Sequence, residues 1–156
     1  MINPLVFFLN TDGVFLFVLF VLVFLYINKK HREVFWHAFL VFLVTLAVVV
    51  ILKELFNAPR PFEIANIEKQ AGLTWFSSFP SAHAAIAFSV STIVALHRRR
   101  LGIFCLMIAS LIALGRVAGG VHYPVDVAFG MLVGVTIALF FDTVHVSKNK
   151  LRKKHS

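Results

Sequence analysis

The sequence predicts an all-α membrane protein, a polytopic bundle of about five transmembrane helices. Three observations carry that prediction. The chain is 60% hydrophobic with a mean hydropathy of +0.89, above the range of soluble domains. Its apolar residues fall in long runs, without the alternating polarity of a β-barrel. Short basic clusters punctuate those runs on a regular plan. With 156 residues the chain is read as one domain over residues 1–156.

Each predicted helix follows from a run of sufficient length. The first covers residues 14–27, with residues 5–9 as a candidate extension backward, and stops at Asn28-Lys29-Lys30-His31-Arg32. The second covers residues 34–56 and is rich in Val, Leu and Phe. The third covers residues 80–96 and stops at His97-Arg98-Arg99-Arg100. The fourth covers residues 101–117, and the fifth covers residues 124–146 before a basic tail at 147–156. β-branched residues are frequent in these runs. They cost little in lipid, where a spanning segment must satisfy its backbone internally.

The net charge is +8, from 15 Lys and Arg against 7 Asp and Glu. The cations sit at the ends of apolar runs, so they fit membrane topology and anionic lipid rather than nucleic acid. Basic clusters follow the first, third and fifth segments. Five spans put all three on one face, which the positive-inside rule makes the cytoplasm. The N-terminus is then outside and the tail inside, in a plasma (inner) membrane. Met1 to Gly13 lacks the basic region of a cleaved signal. The single cysteine, Cys105, excludes an intrachain disulfide and reads as packing.

The outward loops, residues 57–79 and 118–123, gather the residues that can do chemistry. Residues 62–79 mix charges with Phe62, Trp75 and Phe76, as an interfacial loop or a partial lid would. Before it, Pro59 and Pro61 end the second helix, so Lys53 and Arg60 can converge on one anion. Next comes Pro80-Ser81-Ala82-His83. Proline is favoured at the first helical position, which puts Ser81 and His83 in a first turn suited to binding anions. Arg116 closes the fourth segment with a planar fork of donors. Gly119-Gly120 allows a tight turn. Asp126, four residues after His122, can fix one ring nitrogen and leave the other nucleophilic. Each group alone has an ordinary role: a snorkelling cation, a helix cap, a polar loop histidine. Together they imply a polar cluster at membrane depth, where such groups are costly.

The order Lys53-x6-Arg60-Pro61, Pro80-Ser81-Ala82-His83 and Gly115-Arg116-x5-His122-x3-Asp126 resembles the tripartite signature of the type 2 phosphatidic acid phosphatase (PAP2) superfamily. The resemblance runs from Lys53 to Asp126, with two departures. Ala82 stands where glycine is common, and Gly115 stands where serine is common, which removes one side-chain phosphate contact. The resemblance implies a haloperoxidase-like helical core, usually with six spans. It also implies a role for each residue. His122 is the nucleophile that forms a phosphohistidine, Asp126 orients it, and His83 protonates the leaving oxygen and later activates water. Lys53, Arg60, Ser81, Ala82 and Arg116 hold the phosphoryl oxygens. Three fixed cations can neutralise the transferring group, so neither a metal nor another cofactor is expected. The sequence around these motifs looks most like the bacterial undecaprenyl pyrophosphate phosphatases. The expected partners are therefore a lipid phosphate and the bilayer, with no nucleic acid. A phosphatidylglycerophosphate or phosphatidic acid phosphatase of the same fold is the alternative. A non-catalytic protein that binds anionic lipid would show the same basic clusters but has no need of His122 or Asp126.

Overall fold

A computed structural model of the chain describes residues 13–56, 58–61 and 77–154, with side chains through residue 144. Among these residues there is no strand. Five α-helices follow in order: α1 (Gly13–Ile27), α2 (Arg32–Phe56), α3 (Ala82–His97), α4 (Arg99–Ala118) and α5 (Pro124–Lys154). A single 3-10 turn, Lys29–His31, joins α1 to α2. Among the described residues, three stretches are long and apolar enough to cross a membrane: Lys29–Phe56, Arg99–Ala118 and Pro124–Val144. Two apolar helices, Gly13–Ile27 and Ala82–His97, are shorter.

The helix α3 is the axle of the bundle. Ala84 through Ser91, Ile93 and Val94 are buried along most of its length. It packs against α5, α4 and α2, and α1 lies mainly along α2. Small residues make this possible. Ala82, Ala84, Ala85, Ala87, Ser89 and Ser91 leave room for neighbouring backbones, which is how helices associate where lipid supplies no hydrophobic drive. The neighbours answer in kind. A Cβ placed on Gly130 of α5 would stand 2.5 Å from the Ser81 carbonyl oxygen, and one on Gly134 would overlap the Ala85 carbonyl. The outer faces carry large apolar side chains. Phe20, Ile27, Leu55, Leu114, Val125 and Phe140 are each more than half exposed, as a lipid-facing surface requires.

The two ends of the bundle differ. At one end, His97 Nδ1 bonds the Ile93 carbonyl at 3.0 Å and its Nε2 lies 3.8 Å from Asp142. Arg98 donates there to the Lys30 carbonyl at 3.0 Å, tying the α1–α2 connection to the start of α4. The opposite end holds the residues singled out by the sequence motifs.

Helix limits agree with expectation within about two residues, apart from the end of α5. The structure starts α3 at Ala82, so Pro80 precedes the helix instead of opening it and Ser81 becomes its N-cap. The final helix continues past the predicted span, through the basic tail to Lys154. The possible extension through residues 5–9, and residues 62–76 of the suggested lid, lie outside the described residues.

Candidate active site

Four helix ends and one short segment build the site. Lys53 occupies the last turn of α2 and is buried. Its Nζ donates to the Ser77 carbonyl at 2.5 Å. Two residues past Phe56, Ala58 is held on both sides. Its N–H donates to Ser77 Oγ at 2.7 Å, and its carbonyl accepts from the Ser78 N–H at 2.8 Å. Arg60 follows between two prolines and is buried. Pro59 and Pro61 restrict that backbone, so two hydrogen bonds at Ala58 suffice to set the Arg60 segment against Ser77-Ser78.

The start of α3 is fixed from two directions. Ser81 caps it, with Oγ accepting from the Ala84 N–H at 3.5 Å. The Ser81 N–H in turn donates to the Asp126 carbonyl at 3.0 Å, which locks the openings of α3 and α5 together. Ala82 is the first helical residue, where backbone N–H groups have no intrahelical partner. His83 is half-buried, and its ring meets Phe15 of α1 edge-on at a centroid distance of 6.0 Å.

The α4–α5 turn delivers the remaining groups. The Gly119 N–H closes on the Gly115 carbonyl at 2.9 Å, and Gly120 takes φ +66°. Only glycine adopts that angle without cost, and it marks a left-handed helix stop. The chain then doubles back so that the Val121 and His122 N–H groups both reach the Arg116 carbonyl, at 3.2 and 3.3 Å. His122 is thereby laid over the last turn of α4 beside Arg116. Its Nδ1 faces Asp126 Oδ2 at 3.4 Å. That same oxygen accepts from the Tyr123 N–H at 2.9 Å and from Ser78 Oγ at 2.5 Å.

The electrostatics favour a neutral, nucleophilic ring. Burial pushes the His122 pKa down to about 4, against the opposing hydrogen bond to Asp126. The cations Arg116, Arg60 and Lys53 act on the ring in the same downward direction as burial. A Nδ1–H donated to Asp126 leaves Nε2 with its lone pair, the arrangement of an activated imidazole. Lys53, Arg60, Ser81, Arg116, His122 and Asp126 are each exposed by 7% or less.

Hydrogen bonds link Lys53, Ser81, Arg116, His122 and Asp126 through one network, and Arg60 adjoins it through Ala58. His83 enters by its place in the first turn of α3. Sequence reasoning missed Ser77 and Ser78. Two adjacent hydroxyls ahead of Phe79-Pro80 were the only signal, and their partners lie 19 to 48 residues away.

Comparison with known proteins places the chain in a family. The model of the PAP2 superfamily matches residues 35–150. The bacitracin transport permease protein BcrC of Bacillus licheniformis is 33% identical over 90% of this chain and 70% of its own length. The decaprenylphosphoryl-5-phosphoribose phosphatase of Mycobacterium tuberculosis is 34% identical over 69% of this chain and 59% of its own. The undecaprenyl-diphosphatase BcrC of Bacillus subtilis is 25% identical over 76% and 62%. The chain thus spans 59 to 70% of the length of these relatives. Among solved structures, Aquifex aeolicus LpxE superposes with a TM-score of 0.73 at 30% identity, covering 91% of this chain and 88% of that one. A helical membrane bundle, a histidine–aspartate pair among three buried cations, and a family match over most of the sequence lead to one assignment: the chain belongs to the PAP2 superfamily.

Proposed function

We propose that this protein is a membrane lipid phosphatase that works through a phosphohistidine on His122. The observation that carries the reading is the buried pair of His122 Nδ1 and Asp126 Oδ2, 3.4 Å apart, within reach of Lys53, Arg60 and Arg116. His122 Nε2 attacks phosphorus, forming an N–P bond as the P–O bond to the leaving group breaks. His83 gives its proton to the departing oxygen. It then takes a proton from water, whose oxygen attacks phosphorus, and the N–P bond breaks to release phosphate and neutral His122. The three cations, Ser81 Oγ and the Ala82 N–H hold the phosphoryl oxygens, since such transfer depends mostly on positioning and charge stabilisation.

The substrate class we infer is a polyprenyl lipid phosphate, and undecaprenyl pyrophosphate is its best representative. Two of the three curated relatives named above carry polyprenyl substrates in their names, the undecaprenyl diphosphatase and the decaprenylphosphoryl-5-phosphoribose phosphatase. The basic clusters that follow alternate apolar segments favour an extracytoplasmic site, with the N-terminus outside and the C-terminus in the cytoplasm. Phosphate release from detergent-solubilised undecaprenyl pyrophosphate, phosphatidylglycerophosphate and phosphatidic acid tests the reading. The polyprenyl diphosphate is expected to turn over fastest, and His122→Ala to abolish release. Equal release by His122→Ala would refute the mechanism. Preference for the diacyl phosphates would refute the substrate.

A further inference from the structure

Ser78 is fully buried and bonded at both its backbone and its side chain, yet the phosphotransfer mechanism does not use it. We propose that Ser78 is a positioning residue that aims the Asp126 carboxylate at His122 and couples that aim to the Arg60 segment. The inference rests on the histidine mechanism proposed above.

The geometry is specific. Ser78 Oγ lies 2.5 Å from Asp126 Oδ2 and 3.4 Å from His122 Nδ1. Its hydroxyl proton goes to the carboxylate, because an ionised oxygen is the stronger acceptor. Oδ2 therefore receives donors from three directions: Ser78 Oγ, the Tyr123 N–H and the His122 ring. A carboxylate on a flexible Cβ–Cγ bond can rotate. Three donors converging on one oxygen prevent this and keep Oδ2 toward Nδ1, where it selects the tautomer. The backbone of Ser78 meanwhile donates to Ala58, two residues from Arg60. One residue thus joins the group that orients the nucleophile to the segment that carries a phosphate-binding cation. Ser77 repeats the pattern one step away, joining Lys53 and Ala58.

The two halves of this link are separable by mutation. Ser78→Ala deletes the bond to Asp126 and leaves the backbone bond to Ala58. It is expected to lower kcat by about 10- to 100-fold, the scale of a misplaced reacting group, with KM and inhibition by inorganic phosphate unchanged within about twofold. Ser78→Thr keeps the hydroxyl and should recover part of kcat. The deciding experiment is a double-mutant cycle with Asp126→Asn. If Ser78 acts through the carboxylate, Ser78→Ala costs far less in the Asp126→Asn background than in the parent. An equal cost in both backgrounds, or full activity of Ser78→Ala, overturns the proposal. Melting temperatures in detergent accompany each variant, and a kcat loss that merely tracks unfolding also overturns it. Activity retained by His122→Ala would instead sink the underlying mechanism, whatever Ser78 does.

Discussion

Substituting Gly130 by alanine tests whether helix packing sets the chemistry. The added Cβ would lie 2.5 Å from the Ser81 carbonyl oxygen and 3.3 Å from both Ala84 Cβ and Ala85 N. Ordinary contact begins at 3.4 Å, so the first approach is about 0.9 Å too close. The obstacle is backbone, and that carbonyl already accepts the Ala85 N–H at 3.0 Å. No side chain can swing aside, so α3 and α5 must part. Their separation stretches the Ser81 N–H bond to the Asp126 carbonyl and moves Ser81 and His83 away from His122. Overpacking of this kind costs about 1–3 kcal/mol, and a displacement near 1 Å in a catalytic constellation can cost about 100-fold in rate. The assay is a thermal melt in detergent beside kcat for phosphate release. Leu132→Ala, on an exposed position of the same helix, serves as the control. Gly130→Ala should melt several degrees lower and lose between about 10- and 100-fold of kcat, while the control changes little. A Gly130→Ala protein with the parent's melting point and rate would refute the coupling of this contact to the site.

Further outcomes follow from the same geometry. His122 must be neutral to attack, and burial holds its pKa at about 4. The acid limb of kcat/KM should therefore fall near that value, with activity present above it and lost as pH drops through it. Arg116→Gln removes one of the cations that lower this pKa, so the limb should move to higher pH alongside a weaker KM; an unmoved limb would contradict the electrostatic account. Activity should survive excess EDTA, because fixed cations surround the reacting group; loss with rescue by Mg²⁺ would speak against this. In a Cys105→Ala background, a cysteine at Gln70 should react with an impermeant reagent on intact cells and one at Arg99 should not. The reverse pattern would invert the proposed topology.

Much of the site was legible because its parts are local. Lys53 and Arg60 flank a proline-bounded helix end. Ser81 and His83 share a turn, and His122 and Asp126 stand four residues apart. Such spacings survive in one dimension. Ser78 was not legible in that way. Its partner lies 48 residues on, and no periodicity connects a serine in a loop to a carboxylate on another helix. A helix cap was among the roles the sequence offered Ser81; what it misplaced was Pro80, read at the first helical position where the helix begins two residues later, at Ala82. The close approach at Gly130 and Gly134 was hidden for a related reason. Small residues spaced by four on an apolar helix permit intimate packing, but the facing element appears only in three dimensions.

The length of α3 has a consequence for how a lipid is handled. Sixteen residues rise about 24 Å, and a bilayer's hydrocarbon slab is about 30 Å thick. With His97 and its following arginines anchored at one boundary, the opposite tip of α3 ends short of the other. In the orientation proposed above, the start of α3 would then lie several ångströms beneath the headgroups. For the lipid phosphatase proposed above, a phosphate would have to leave the plane of its neighbours and descend, with Lys53, Arg60 and Arg116 placed to offset the loss of its water.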